Sequence, residues 1–199
     1  MQKFKEFHTP EEVDTWVSQS YSDAQLEYYD LNKQPLLSPL SLYTGSISKN
    51  INSFLRNGAL SDSFSHFEGL QFDLCQNSLP ESITTWRFVT PQEMLSLWWK
   101  TAFGRIYVNP TFVSTTLLRD FFSGQARSSG IVIRINAPKG TPGMYITELN
   151  NAAITEYEVL FAHHLLFKRT GNLTYEIIPE LPADEYRGKY VDKSDYYQP

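Results

Sequence analysis

The first third of the chain carries apolar residues at the spacing of an α-helix. Segment 9–12 (Thr-Pro-Glu-Glu) is a capping box with proline at the first helical position, and Val13 and Trp16 follow about one turn apart. The same kind of spacing predicts further helices over residues 39–57 and 61–75. We therefore expect the N-terminal part of the chain to be helical.

The pattern then changes to short runs rich in β-branched and aromatic residues, which are typical of strands. Residues 90–93 (Thr-Pro-Gln-Glu) predict one further short helix by the same capping logic. The predicted strands cover residues 83–89, 106–115, 131–135, 144–146, 158–168 and 174–179. Helices followed by strands indicate an α+β fold with an antiparallel sheet and argue against an alternating parallel-sheet fold.

The composition is that of an ordinary globular protein. The chain has 199 residues, 41% of them hydrophobic and 20% charged, and its net charge is −5. This charge and the lack of a basic run argue against a nucleic-acid partner, which requires clustered Lys and Arg. Cys75 is the single cysteine, which excludes a disulfide framework or cysteine zinc cluster within one chain; we expect its thiol to be buried on a helix.

The chain shows no leader or membrane-spanning pattern. Residues 1–16 contain no apolar core after their lysines, so we expect no secretory signal peptide. No stretch approaches the ~20 apolar residues that span a bilayer. Residues 182–199 are rich in Tyr and Asp, and we expect them to be partly ordered at best. Neither a G-x-G-x-x-G turn nor a P-loop occurs, so a bound nucleotide must be held in another way.

Three short segments carry the candidate chemistry. Arg87 lies near the end of a predicted strand, Ser114 begins a Ser-Thr-Thr cluster, and Glu156 and Glu158 flank Tyr157 at the start of an apolar strand. Each pattern is common alone, since such arginines, hydroxyl runs and paired acids are usually surface or strand-edge residues. Acids two residues apart on a strand face the same side, so Glu156 and Glu158 could share one cleft.

Two further pairs are given structural interpretations. His163 and His164 are consecutive on a predicted strand, so they should point to opposite faces, and we expect no metal site there. Trp98 and Trp99 follow the predicted short helix, and we interpret them as core residues. Neither pair enters the predicted site.

The order arginine, serine, Glu-x-Glu resembles that of the Arg-Ser-Glu class of ADP-ribosyltransferases, which includes cholera toxin. Residues 42–46 (Leu-Tyr-Thr-Gly-Ser) and 51–56 (Ile-Asn-Ser-Phe-Leu-Arg) resemble the helix before the catalytic arginine in the iota-toxin and VIP2 branch. Residues 131–140, which end in Ala-Pro-Lys-Gly, resemble the strand and turn that this branch places before its Glu-x-Glu loop. The resemblance covers about residues 9–179.

The resemblance implies an ADP-ribosyltransferase fold, in which N-terminal helices pack on two mostly antiparallel sheets that flank an NAD cleft. It implies one domain over residues 1–199, with a helical lobe at about 1–80, a β-rich catalytic core at about 81–180 and a tail at 181–199. NAD is then the substrate, without a metal. The side chains implied to bind NAD are Tyr43, Asn52, Arg56, Arg87, Phe88, Phe122 and Arg127.

The catalytic residue types suit cleavage of the bond between nicotinamide and ribose, which leaves positive charge on the sugar. Glu158 would stabilise that charge, and the resemblance implies that it also binds the ribose 2′-hydroxyl. Ser114 would orient Glu158, and Arg87 would bind the NAD phosphates through its planar fork of donors. Glu156 would attract an arginine of the target and help remove its proton, whereas members that modify asparagine carry glutamine there.

Three positions depart from the family pattern. Phe88 stands where the family often has glycine or a second arginine, and Thr116 stands where serine is common. Ser48 replaces a tyrosine of the binary toxins, which removes one ring from the implied nicotinamide mononucleotide pocket. The aromatic segment 121–124 is a candidate to replace part of that stacking.

The expected protein is a bacterial or phage toxin or effector that modifies an arginine of a target protein. Two alternatives stay open: an NAD glycohydrolase with water as acceptor, and a non-catalytic binding module with this fold. The complete set of charged candidates argues against the module. We expect a secreted or injected monomer that acts in the cytosol of a target cell. Its expected partners are the target and a possible inhibitor or export protein, without nucleic acid.

Overall fold

Helices precede strands along the chain, as the apolar pattern predicts. The computed structural model describes residues 3–28, 30, 40, 43, 52–53, 55–56, 64–122, 130–146 and 157–178. The helices with both ends described are α1 (Pro10–Ser20), α2 (Asp23–Tyr28), α3 (Phe64–Gln76) and α4 (Pro91–Lys100), and short 3₁₀ helices cover Ala102–Gly104 and Arg119–Phe122. The described strands are β1 (Ile83–Val89), β2 (Ile106–Asn109), β3 (Val113–Thr116), β4 (Ile131–Ala137), β5 (Gly143–Ile146), β6 (Glu158–Phe161), β7 (Leu165–Arg169) and β8 (Thr174–Ile178).

The eight described strands form one sheet in the order β2-β7-β8-β4-β1-β3-β6-β5. Neighbouring strands are antiparallel except β4 and β8, which run parallel. Strand β1 pairs with β4 over its whole length, but a single residue pair, Trp86 with Thr116, joins β1 to β3. The α+β class is confirmed. The two sheets that the resemblance implies are linked here through this one narrow junction.

Local sequence signals mark where the helices begin. Thr9 caps α1 by accepting a hydrogen bond from the backbone N–H of Glu12 at 3.3 Å. The inner face of α1 carries Val13 and Trp16, which are 0% and 1% exposed and belong to the main hydrophobic core. Burying a large apolar side chain stabilises a fold by roughly 1.5–3 kcal/mol, which exceeds the ~1 kcal/mol of a cap. Packing against the core therefore holds α1 in place, and the cap defines its first residue.

Two predicted strands are each divided in the structure. The strand expected over residues 106–115 is β2 and β3, which are separated around Pro110, a residue without a backbone N–H for the ladder. The strand expected over residues 158–168 is β6 and β7. A turn separates them, and His164 in that turn has a left-handed φ of +64°.

Three side chains expected in the core are exposed. Cys75 lies on α3 as predicted, but its side chain is exposed. Trp98 and Trp99 are 38% and 59% exposed, because Met94 and Leu97 lie on the inner side of α4 and the two tryptophans lie on its outer side. The division into lobe, core and tail stays a prediction, and the predicted tail lies outside the described residues.

Candidate active site

Arg87 is held between a strand and a helix near the end of β1. Its Nη1 donates a hydrogen bond to the backbone oxygen of Ser114 at 2.9 Å, and its Nη2 donates to Oε1 of Glu93 at 3.2 Å. The side chain is 19% exposed. Because β1 and β3 share one residue pair, at Trp86, the Ser114 carbonyl beyond that pair accepts from the guanidinium instead of extending the ladder. The narrow junction of the sheet therefore positions Arg87.

Glu93 connects two guanidinium groups in the first turn of α4. Its Oε1 lies 3.2 Å from Nη2 of Arg87 and 4.0 Å from Nη2 of Arg56. One carboxylate between two guanidinium groups leaves a net positive charge, which suits the binding of phosphate. Sequence reasoning missed this role, because an acid three residues after Thr90 is explained by helix capping alone. The one sequence feature that points to this contact is the position of Glu93, one helical turn after the end of the strand that carries Arg87.

Tyr43 brings several predicted residues into one neighbourhood. Its side chain is buried, and its hydroxyl accepts a hydrogen bond from Nδ2 of Asn52 at 3.0 Å. Burial raises the pKa of Tyr43 to about 12, against the opposing hydrogen bond from Asn52. The charges of Arg87 and Arg56 also lower this pKa, whereas the charge of Glu158 raises it. One buried hydroxyl therefore lies within electrostatic reach of both the predicted arginines and the predicted acid.

Strand pairing brings Glu158 close to β1 across three strands. Trp86 pairs with Thr116, and Thr116 pairs with Glu158, so the three residues form one row. Neighbouring strands lie about 4.8 Å apart, so the backbones at Trp86 and Glu158 are about 10 Å apart. Ser114 pairs with Leu160 and lies diagonally across from Glu158 on the same face of the ladder. The orienting bond from the Ser114 hydroxyl to Glu158 stays a prediction.

A cavity of about 440 Å³ lies beside Arg87. This volume falls in the range of roughly 300–1,000 Å³ typical of small-molecule sites. It lies between the inner side of α4 and strands of the sheet, and its polar and charged lining side chains are Arg56, Arg87, Thr90, Gln92, Glu93, Ser96, Lys100, Tyr107, Asn109 and Thr111. Ser114 and Glu158 do not line this cavity, and their register with Trp86 puts them on the face of the sheet opposite to Arg87. That Arg87 and Glu158 share one cleft stays a prediction.

Other predicted residues are not brought to Arg87. Phe88 alternates to the opposite face of β1, where a methyl group added at Gly130 would lie 1.7 Å from its ring. The side chain of Phe122, and Ser48, Arg127 and Glu156, lie outside the described residues. A role in NAD binding for Phe88, Phe122 and Arg127 therefore stays a prediction.

The backbone directly before Glu158 is not extended. Strand β6 begins at Glu158, and Tyr157 has a left-handed φ of +48°. Strict alternation of faces requires extended backbone, so it stops at Tyr157. That Glu156 and Glu158 face one cleft stays a prediction.

His163 and His164 lie together rather than on opposite faces, which corrects the prediction. Their Nδ1 atoms are 2.6 Å apart in the turn between β6 and β7, and their ring centroids are 4.3 Å apart. The His163 ring also packs edge-on against Phe112 at 5.0 Å. The described residues contain no group of three or more His, Cys, Asp and Glu that could hold a metal ion. Within the described ranges, no helix combines the length and apolar character needed to cross a bilayer.

Comparison with known proteins decides the family. Residues 13–172 match the family model described as ADP-ribosyltransferase exoenzyme. The chain belongs to this family. No curated protein matches it significantly by sequence.

Solved structures share the fold at low sequence identity. A C3-type ADP-ribosyltransferase from Clostridium botulinum is 19% identical with a TM-score of 0.63, and the match covers 88% of this chain and 97% of that one. A second C3-type protein, from S. aureus and solved with NAD, is 19% identical with a TM-score of 0.60, over 90% and 100% of the two chains. The ADP-ribosylating toxin BECa of a binary enterotoxin of C. perfringens, solved with NADH, is 20% identical with a TM-score of 0.64, but this chain covers only 49% of it.

These findings confirm the resemblance to the ADP-ribosyltransferase exoenzymes. The protein is an NAD-dependent ADP-ribosyltransferase of a toxin family, with NAD as its substrate. The positive cluster of Arg56 and Arg87 beside a cavity suits a substrate that carries two phosphates.

Proposed function

We propose that this enzyme transfers ADP-ribose from NAD to an arginine side chain of its target protein. The observation that carries the proposal is the Glu-x-Glu motif at the start of β6, whose second acid shares the neighbourhood of Tyr43 with Arg87. The first acid, Glu156, is the residue type that favours a cationic acceptor. The catalytic set that we propose is Arg87, Ser114, Glu156 and Glu158.

Arg87 and Arg56 would bind the diphosphate of NAD. The Arg87 guanidinium is fixed by β3 and by Glu93, so its donors are oriented before the substrate arrives. Arg56 is 51% exposed, which leaves it room to turn towards a ligand. Tyr43 and Asn52 would line the same neighbourhood, and their mutual hydrogen bond holds both side chains in place.

Glu158 would act at the sugar. When the bond between the nicotinamide nitrogen and the ribose carbon breaks, its electron pair stays with nicotinamide, which leaves as a neutral molecule. The ribose carbon gains oxocarbenium character, which the Glu158 carboxylate stabilises electrostatically. Ser114, diagonal to Glu158 on the same face, would hold that carboxylate in position.

Glu156 would act on the acceptor. A nitrogen of the target guanidinium forms the new bond to the ribose carbon and loses a proton, which the Glu156 carboxylate accepts. Neutral nicotinamide and protein-bound ADP-ribose are then the products. Glutamine at position 156 keeps the shape of the side chain but can neither attract the cation nor accept the proton.

Labelled NAD tests the proposal with two variants. We expect Glu158→Ala to abolish both NAD cleavage and transfer, because the charge that stabilises the sugar is lost. We expect Glu156→Gln to keep NAD cleavage but to stop transfer to arginine peptides or to the small guanidine agmatine. Glu81→Gln is the matched control, because Glu81 forms an exposed ion pair with Lys5 beyond the other end of β1.

The outcomes separate the competing functions. Normal arginine labelling by Glu156→Gln would refute the role of Glu156. Release of free ADP-ribose by the wild type without any protein label would support an NAD glycohydrolase. No consumption of NAD would support a non-catalytic module with this fold.

We further propose delivery as an effector into the cytosol of a target cell, where the enzyme acts as a monomer on one host protein. The support is the toxin character of the family. Mass spectrometry of host lysate after exposure to enzyme and NAD would identify the modified protein and residue. Light scattering of the purified enzyme would test the monomer.

A further inference from the structure

The outer side of α4 and the turn after it carry an unusual concentration of exposed apolar side chains. Of the large hydrophobic residues that are exposed in the described part of the chain, four fall within nine consecutive positions. We call them the aromatic face: Leu95 (58% exposed), Trp98 (38%), Trp99 (59%) and Phe103 (88%). Leu95 and Trp99 are one helical turn apart, so they lie on the same side of α4.

Phe103 projects from the surface at a cost in backbone energy. It adopts a left-handed φ of +56°, which is uncommon for a bulky side chain, and Gly104 follows with φ of +77°. A ring that is 88% exposed gains little from packing within the chain, so its own contacts do not explain the strained backbone. Strain of this kind is frequent where a residue is presented to a ligand or partner.

The charges around the aromatic face are positive, although the chain as a whole has a net charge of −5. No Asp or Glu occurs between Glu93 and Asp120, a stretch that contains the exposed Arg105. From β7, the Arg169 guanidinium lies 4.9 Å from the Trp98 ring centroid. The aromatic face therefore lies in a locally cationic region of an acidic protein.

The aromatic face and the active-site cavity occupy different sides of α4. The inner side carries Glu93 and Leu97, which line the cavity, whereas Trp99 and Phe103 do not line it. A surface docked on the aromatic face would therefore leave Arg87 and the cavity uncovered.

We propose that the aromatic face binds the surface of a membrane that contains anionic phospholipid. Tryptophan and phenylalanine side chains are favoured at the boundary between headgroups and acyl chains, and flanking Lys and Arg are attracted to anionic headgroups. A projecting ring such as Phe103 penetrates a fluid surface without needing a preformed pocket. A rigid protein partner would need one, so the geometry favours lipid over protein.

Vesicles of phosphatidylcholine, with or without phosphatidylserine, test the proposal. We expect the wild type to co-sediment with the vesicles that contain phosphatidylserine and to shift its tryptophan emission to shorter wavelength. The emission is informative because Trp16 and Trp86 are 1% and 8% exposed, which leaves Trp98 and Trp99 as the solvent-exposed reporters among the four tryptophans.

Substitutions in the aromatic face provide the decisive comparison. We expect Trp99→Ser and Phe103→Ser each to lower the vesicle partition coefficient on the order of tenfold, since each removes a ring that would enter the interface. The matched control is Phe72→Ser, because Phe72 is 63% exposed on α3, outside the aromatic face. All three changes are at exposed positions and outside the cavity, so NAD cleavage should stay at the wild-type rate.

A further pair of substitutions tests how much the positive charges near the aromatic face contribute to vesicle binding. We expect Arg105→Gln together with Arg169→Gln to weaken binding and to flatten its dependence on salt. The proposal is overturned if the wild type does not bind phosphatidylserine vesicles at low salt, or if Phe72→Ser loses as much binding as Phe103→Ser. It is equally overturned if Trp99 mediates self-association without any vesicle binding.

Discussion

The contact between His163 and His164 predicts that acid destabilises the fold. Their Nδ1 atoms are 2.6 Å apart, a separation that requires one ring nitrogen to accept from the other. Burial, and then the charge of His164, lower the pKa of His163 from 6.5 to about 4. Burial also lowers the pKa of His164. Two imidazolium groups both lack an acceptor, so full protonation breaks the contact.

The expected loss of stability follows from proton linkage. The folded pKa of His163 lies below the unfolded value, so the unfolded state binds the proton more tightly. The part of the free energy of unfolding that depends on a neutral His163 ring is therefore fully present above about pH 6.5. It is lost as the pH falls towards 4. Each pKa unit corresponds to about 1.4 kcal/mol. With allowance for solvent that reaches the ring, we expect a loss of about 2 kcal/mol between about pH 7.5 and pH 4.5.

Urea unfolding of the wild type and of His163→Phe at both pH values measures this loss of stability. The phenylalanine ring keeps the packing against Phe112, and the backbone of residue 163 can keep its hydrogen bonds to Gln71. We expect the variant to lose about 2 kcal/mol less than the wild type on acidification.

Carboxylates also titrate in this range, but they are common to both proteins, so the difference isolates His163. The exposed His8 provides the control, since His8→Gln should behave as the wild type. Equal losses in the wild type and His163→Phe would refute the reasoning.

Three further substitutions test contacts at and near the site. Glu93→Gln removes the charge that orients Arg87, and we expect kcat/KM for NAD to fall on the order of tenfold, measured by nicotinamide release. Gly130→Ala places a methyl group against the Phe88 ring, and we expect a loss of about 1–3 kcal/mol in urea unfolding. Thr90→Ala removes the cap of α4, and we expect about 1 kcal/mol less stability by the same measurement.

Where local signals decide the structure, the sequence was sufficient. The capping box at Thr9 predicted the first residue of α1, and the β-branched run predicted β1 with both of its ends, Ile83 and Val89. Both signals depend on residues adjacent along the chain, so distant partners do not alter them. The order of helices and strands supplied the α+β class, and the family resemblance supplied NAD, which local patterns alone could not.

The sequence-based predictions fail where distant contacts or exposure to solvent determine the structure. Glu93 satisfies a helix-capping pattern, and nothing in the sequence shows that its carboxylate faces Arg87 rather than water. The continuous apolar run after Glu158 gives no sign of the turn at His164, because an αL residue is not marked by glycine there. The apolar character of Trp99 also does not reveal that its side chain is exposed to solvent on the outer side of α4.

The junction of the sheet explains why the site needs the whole fold. Trp86 joins β1 to β3 through one pair, and Glu158 continues the same row from β6. A second ladder pair in the direction of Ser114 would occupy the carbonyl that now accepts from Arg87. The position of the Arg87 guanidinium is therefore set by the residue at which the β1–β3 ladder ends. Its second hydrogen bond goes to Glu93 on α4. Changes that lengthen or shift the β1–β3 pairing should impair NAD cleavage even when every charged residue is retained.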